Sequence, residues 1–186
     1  GQTRYAFLPA AVVAGCVKAV ESFPGLHLAL QLKDELHAFN CPLADFAYPL
    51  WGIDPQLSIP LNPNVFNQTV KILIYFENLV DSVTDLPSSL VNLCQTICMD
   101  QANVYLTDQG KVLQITNNQT NKFKSIDHLR RQLNLKPEEI VVFGDDWNDL
   151  EMLTGFPNGV VMGNADRELR CQILYQTQSN DKDGIA

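Results

Sequence analysis

The chain has 186 residues, enough for one large domain or two small ones. Its content of 46% hydrophobic and 18% charged residues is typical of a folded globular protein. A formal net charge of −8, with only 13 Lys and Arg, argues against a nucleic-acid-binding or anionic-membrane-binding surface. No stretch approaches the ~18 consecutive apolar residues that a membrane span requires. The composition therefore predicts a soluble protein that binds neither nucleic acid nor a membrane.

The five cysteines are an odd number and lack the dense spacing of a disulfide framework. This pattern indicates a reducing compartment, and we expect a cytoplasmic protein. Cys94 and Cys98 could lie on one face of a helix, but no Cys or His follows them at a zinc-binding spacing. We interpret both as core residues.

The first part of the chain, residues 1–116, mixes helices and strands without a regular order. The local patterns predict, in chain order, a helix through Val12 and Val20, a strand at 26–30, a long connection with some helix at 40–68, a buried central strand at 70–76, a helix at 86–93 and a hairpin around Asp108-Gln109-Gly110. This order is typical of a mixed α+β domain.

From residue 117 onward, helical and strand patterns alternate strictly. We predict helices at 125–133 and 148–153, and strands at 140–143 and 159–162. Such alternation indicates a parallel sheet covered by helices. The sequence therefore predicts an α/β protein with a domain boundary near residue 116.

A cluster of polar side chains, Gly144-Asp145-Asp146-Trp147-Asn148-Asp149, follows the strand predicted at 140–143. Ligands of open α/β sheets bind beyond the carboxyl ends of the strands, and crowded carboxylates are tolerated beside a hard cation such as Mg²⁺. The same residues could instead cap a helix and complement its dipole. Spacing alone leaves both interpretations open.

The run from Gly144 to Leu153 closely resembles the fourth conserved motif of haloacid dehalogenase (HAD) superfamily phosphatases, the Cof-type branch in particular. The resemblance implies that Asp145 binds Mg²⁺ and that Asn148 contacts the substrate phosphate. It also implies that Asp146 and Asp149 support the loop. Gly159–Ala165 resembles the family's Gly-Val-Ala-Met-Gly-Asn-Ala stretch, where Asn164 borders the site and either supports it or binds substrate.

Residues 121–129 resemble the family's third motif, whose lysine opens a helix and pairs with the phosphate and the nucleophile's carboxylate. Lys122 and Lys124 compete for this role. Aligning Leu133-Asn134-Leu135 with the family's usual Leu-Gly-Ile helix end favours Lys122. A phosphoryl group among carboxylates needs such a cation, whatever the family.

The family's nucleophile, the first Asp of an Asp-x-Asp-Gly-Thr motif after an apolar strand, has no counterpart in the sequence. Asp181-Lys182-Asp183-Gly184 matches part of that motif but follows a polar run, so we interpret it as unrelated. The resemblance implies that residues 117–186 are the C-terminal half of a Rossmann-like HAD core and that residues 1–116 are a substrate-selecting cap. We therefore expect a fragment of a longer protein.

The resemblance implies a magnesium-dependent phosphomonoester hydrolase that forms an aspartyl-phosphate and acts on a small phosphorylated metabolite, with sugar phosphates favoured. We expect these 186 residues alone to be inactive, because the nucleophile is missing. The alternative is a non-catalytic truncated protein or pseudo-enzyme that binds a sugar or partner through its cap surface. Sucrose-phosphate and mannosyl-phosphoglycerate phosphatases also remain candidate relatives, and the substrate and oligomeric state stay open.

Overall fold

The computed structural model of the protein describes residues 4–45, 47–76 and 85–185. The chain divides into two compact units. The first contains the described residues up to 106 together with 110–118, and the second contains 107–109 and the described residues from 119 onward. Helices and strands occur in both units, which confirms the predicted α/β class.

The first unit combines one mixed sheet with helices. Its described helices and strands are α1 (Ala10–Glu21), β1 (Leu26–Leu32), β2 (His37–Phe39), α2 (Ala47–Leu50), β3 (Ser58–Pro60), β4 (Thr69–Phe76), α3 (Ser88–Cys98), β5 (Ala102–Thr107) and β6 (Val112–Asn117). The strand order is β3-β2-β1-β4-β6-β5. Strand β1 runs antiparallel to β2 and β4, and β4 runs antiparallel to β6, whereas β2 and β3 are parallel.

Strand β4 lies inside this sheet, between β1 and β6, which confirms the central strand predicted from its β-branched composition. Its alternate residues Ile72 and Ile74 are fully buried. They pack in one large apolar cluster with residues of α1 and α3. The other face of the sheet packs a smaller cluster that includes Tyr75 and Trp51. The sheet is thus a middle layer with apolar residues on both faces.

The second unit contains a parallel sheet with short helices. Its described helices and strands are α4 (Lys122–Gln132), β7 (Val141–Gly144), α5 (Leu150–Gly155), β8 (Asn158–Val161), α6 (Arg167–Arg170) and β9 (Tyr175–Gln176). The order is β7-β8-β9, with both pairs parallel. This arrangement confirms the parallel sheet predicted from the alternation of helices and strands.

Two predicted helix starts were displaced. Helix α4 begins at Lys122 rather than at 125, because the side-chain oxygen of Asn121 accepts a hydrogen bond from the Lys124 backbone N–H at 2.7 Å and caps the helix there. The helix predicted to begin at Asn148 opens with a 3₁₀ turn, Trp147–Asp149, and becomes α-helical at Leu150.

The two faces of the parallel sheet differ in burial. Val142 and Val161 are buried against α5 residues. The alternate residues Val141 and Phe143 are 56% and 36% exposed. Phe143, Val160 and Tyr175 pair across the three strands, and Tyr175 is also exposed. One face is therefore apolar but largely uncovered among the described residues.

Within the described ranges, no helix combines the length and the apolar character that crossing a bilayer would require.

Candidate active site

The loop that follows β7 depends on glycine at position 144. A Cβ atom placed there would lie 2.6 Å from the Asp149 Cβ and 2.7 Å from its Cγ, well inside van der Waals contact. Only the absence of a side chain at Gly144 lets Asp149 fold back over the end of the strand. The glycine that opens the motif is required by this close approach.

Asp149 is the centre of the loop and is only 3% exposed. Its Oδ2 accepts hydrogen bonds from the backbone N–H groups of Asp145 at 3.2 Å and Asp146 at 3.4 Å. Its Oδ1 lies 2.5 Å from the Lys122 Nζ. A buried carboxylate needs such compensation, since hydrogen bonds and an opposite charge offset its loss of hydration. Asp149 thereby links the loop to the start of α4.

Lys122 is the first residue of α4, and its side chain is half-exposed. Its ammonium group donates to Asp149 and, at 3.2 Å, to the Asn148 Oδ1. An ammonium carries three protons, so these two contacts leave one available to an anion. Lys124, the competing residue, lies on the exposed part of the same first turn. The geometry therefore brings Lys122 to the motif.

Asp145 lies on the exposed side of the loop and is held there by Asn164. The Asn164 Nδ2 donates to the Asp145 Oδ2 at 2.8 Å, and the Asn164 Oδ1 accepts from the Asn180 backbone N–H at 3.1 Å. Asn164 thus connects the carboxylate to the segment after β9. This contact is consistent with an orienting role for Asn164, and both that role and the alternative role in substrate binding stay predictions.

Asp146 has a structural role in the loop, and its Oδ2 also accepts from the Asp108 backbone N–H at 2.9 Å. Its Oδ1 accepts from the Trp147 backbone N–H at 2.7 Å, and its backbone carbonyl accepts from the Asp149 N–H at 2.9 Å. These bonds start the 3₁₀ turn that leads into α5. The helix-cap interpretation that the sequence left open therefore describes Asp146.

Magnesium is compatible with this loop through Asp145. Within the described ranges, no group of three or more His, Cys, Asp or Glu side chains could hold a metal ion. Magnesium, however, typically uses one or two protein carboxylates and completes its shell with water and phosphate oxygens. An exposed carboxylate oriented by an amide fits one such ligand, so Asp145 can supply part of a magnesium site.

Sequence analysis singled out Lys122, Asp145, Asn148, Asp149 and Asn164 separately, and the structure joins them through hydrogen bonds. The sequence patterns did not predict the Lys122–Asp149 ion pair or the anchoring of Asn164 by the Asn180 backbone. The first contact spans 27 residues and the second 16. The Asn121 cap was recognisable, since Asn before a helical pattern is a standard start signal.

The chain is similar to known hydrolases and phosphatases. A sequence model of haloacid dehalogenase-like hydrolases matches residues 60–186, more than half of the chain. The HMP-PP phosphatase of Serratia proteamaculans is 50% identical over 58 residues, which cover 31% of this chain and 21% of that protein. The chloroplastic endoribonuclease YBEY of Arabidopsis thaliana is 34% identical over 153 residues, or 81% of this chain and 25% of that protein.

Among solved structures, a HAD subclass IIB sugar phosphatase aligns with a TM-score of 0.76 and 17% identity, covering 97% of this chain and 65% of that one. This likeness shows the fold. The chain thus spans about two thirds of that structure and a quarter or less of the two relatives above. Because the family model matches residues 60–186, more than half of the chain, the chain belongs to the haloacid dehalogenase-like hydrolase family.

Proposed function

We propose that the chain is the magnesium- and phosphate-binding part of a phosphomonoester hydrolase whose aspartate nucleophile comes from outside these 186 residues. One observation carries the proposal. Lys122 and Asp145 bind the two oxygens of the same buried carboxylate, that of Asp149. The Lys122 ammonium group donates to Oδ1, and the Asp145 backbone N–H donates to Oδ2. A cation from the start of α4 and an exposed carboxylate of the loop are thereby fixed at the carboxyl end of β7.

Each exposed group has a role in phosphoryl transfer. The Lys122 ammonium would neutralise charge on the phosphoryl oxygens, and the Asn148 side chain would orient one of them. The Asp145 carboxylate would hold Mg²⁺, which when bound supplies positive charge to the phosphoryl group. Asn164 would keep that carboxylate oriented, and Asp149 would keep the ammonium in place.

The exposed apolar face of the parallel sheet is evidence for an additional chain segment that packs against it. Parallel strands are normally covered on both faces, yet Val141 and Phe143 of β7 remain substantially exposed. Among the described strands, β7 also has a neighbour only on its β8 side. We propose that a segment outside the 186 residues pairs with β7 and covers this face. A carboxylate at its strand end would then lie beside Asp145.

The first unit would act as the substrate-selecting cap, and sugar phosphates are the proposed substrate class. Support for this class comes from the fold relative that is named a sugar phosphatase. The Serratia relative is named HMP-PP phosphatase. A small phosphorylated metabolite is therefore the proposed partner.

The test compares two proteins: the complete open reading frame that contains these residues and the 186-residue chain alone. Both are assayed with p-nitrophenyl phosphate and a panel of sugar phosphates, with Mg²⁺ or with EDTA. We expect magnesium-dependent turnover only from the complete frame. Turnover by the 186-residue chain would contradict the external nucleophile. Sugar binding without turnover by the complete frame would favour the non-catalytic alternative.

A further inference from the structure

The turn that follows β5, Asp108–Gly110, contacts the proposed active-site loop. Its residues up to Gln109 belong to the second unit, as the loop does. The Asp108 backbone N–H donates to the Asp146 Oδ2 at 2.9 Å, and Asp146 directly follows the proposed magnesium ligand, Asp145. Neighbouring Cα atoms are about 3.8 Å apart, so the turn is anchored one residue away from that ligand.

The backbone of this turn is left-handed at each of its three residues. Asp108, Gln109 and Gly110 have φ values of 51°, 57° and 88°. Gly and Asp adopt this region comparatively readily, whereas a longer side chain such as Gln rarely does. A glycine at position 109 would form the same turn with less strain, so the turn by itself does not explain a glutamine there. Residues held in such conformations cluster at ligand-binding sites.

The side chains of Asp108 and Gln109 are both exposed, and their chemistry suits one kind of ligand. A carboxylate accepts hydrogen bonds, and a glutamine amide both donates and accepts them. Hydroxyl groups can satisfy both side chains, because a hydroxyl also donates and accepts. A second negative charge on a ligand is disfavoured instead, since it would lie beside the Asp108 carboxylate.

We propose that Asp108 and Gln109 select the leaving group, the part of the substrate that is esterified to the phosphate. This inference rests on the proposed phosphatase function. With the phosphoryl group bound at the loop, the turn anchored by Asp146 contacts the leaving group. Gln109 binds its hydroxyl groups, and Asp108 disfavours a carboxylate or a second phosphate. The substrate class is thereby narrowed to monophosphates of hydroxylated compounds that carry no further negative charge.

The experiment uses the complete reading frame and measures inhibition constants, Ki, against the turnover of p-nitrophenyl phosphate. Glucose 6-phosphate and 6-phosphogluconate are compared, because both are hydroxylated six-carbon monophosphates and only the second carries a carboxylate. We expect a Ki for 6-phosphogluconate that is higher by about fivefold or more, the effect of two like charges about 4 Å apart in water. Added NaCl should reduce this ratio, because salt screens exposed charges.

Substitutions in the turn separate the two side chains. Asp108→Asn should bring the ratio of the two Ki values close to one, and it keeps the backbone N–H that donates to Asp146. Gln109→Ala should raise the Ki of glucose 6-phosphate by about two- to tenfold, the usual effect of one lost hydrogen bond. Asp146→Asn removes the acceptor of the Asp108 N–H and should reduce the ratio less than Asp108→Asn does.

The chain supplies matched controls, since the same exposed dipeptide, Asp100-Gln101, precedes β5. Asp100→Asn and Gln101→Ala should leave both Ki values within about twofold of the parent's, because exposed substitutions away from a site have small effects. Equal Ki values in the parent, or an equal fall of the ratio in Asp108→Asn and Asp100→Asn, would overturn the inference and leave the phosphatase function standing. Absence of magnesium-dependent turnover in the complete protein would overturn both. If a variant fails to fold, the parent's Ki ratio and its salt dependence decide the outcome.

Discussion

The loop after β7 has a buried side and an exposed side, and the two do different work. On the buried side, Gly144 admits the Asp149 carboxylate, which binds two backbone N–H groups and an ammonium. On the other side, the exposed Asp145 and the partly buried Asn148 present a carboxylate and an amide at the strand end. Adjacent acidic residues of one motif therefore separate into groups that hold the loop and groups that remain available to a ligand.

The largest expected effect comes from the exposed side. In the complete reading frame, Asp145→Asn should lower kcat/KM by roughly 10²–10³-fold, because the proposed magnesium ligand loses its charge. The fold should be unaffected, since the Asp149 contacts use the backbone of residue 145. Steady-state kinetics over a range of Mg²⁺ measure the loss. Asp146→Asn is the matched control, because Asn keeps an oxygen that can cap the turn and loses only the Oδ2 acceptor of the Asp108 backbone N–H. A similar loss of kcat/KM in both variants would contradict the separation of Asp145, as a metal ligand, from Asp146, as a structural residue of the loop.

Lys122→Gln should affect both sides of the loop. It removes the proposed phosphate cation, which should lower kcat/KM by about 10²-fold. It also leaves the buried Asp149 without its charged partner, at a cost of about 1–3 kcal/mol after allowance for the half-exposed lysine. Kinetics and chemical denaturation measure the two effects.

Lys124→Gln provides the control for this variant, since it changes the same charge on the same helical turn. We expect at most a twofold change in kcat/KM. A larger loss of kcat/KM in Lys124→Gln than in Lys122→Gln would show that Lys124, and not Lys122, is the motif lysine.

Gly144→Ala should act on the buried side. The added methyl group meets the Asp149 side chain at 2.6 Å, and such overpacking typically costs about 1–3 kcal/mol. The free energy of unfolding of the 186-residue chain, from urea denaturation, measures this cost. Gly52→Ala is a useful comparison, because its Cβ meets nothing within 4 Å and its cost comes from a positive φ of 65°. Unchanged stability in Gly144→Ala would show that the loop does not require this close approach.

The smallest expected effect is that of Asn164→Ala. Residues that orient a metal ligand typically contribute 10–100-fold to metal affinity, and we expect about 10-fold weaker Mg²⁺ binding with little change in stability. Isothermal titration of the complete protein with Mg²⁺ measures this directly. Asn158→Ala is the control, because Asn158 lies on β8 but bonds to the Glu138 and Ile140 carbonyls instead of the loop. Equally weakened Mg²⁺ binding in both variants would show that Asn164 does not orient the metal ligand.

Local patterns were sufficient for the parallel order of β7 and β8, the central position of β4 and the motif loop, since these depend on periodicity and short spacing. They were insufficient for the contacts that give the loop its shape. The Lys122–Asp149 pair joins residues that are distant in sequence, and only tertiary packing brings them together. Spacing alone left the metal-site and helix-cap interpretations of Gly144–Asp149 open, because it does not reveal which carboxylate turns inward. The family resemblance was needed to expect different roles for Asp145 and Asp149.

The most direct measurement of the central claim is a double-mutant cycle between Lys122→Gln and Asp145→Asn in the complete reading frame, with kcat/KM as the readout. If both groups act on one phosphoryl group, the double variant should lose at least about 10-fold less activity than the product of the two single losses. A double loss equal to that product would contradict a shared site on this loop.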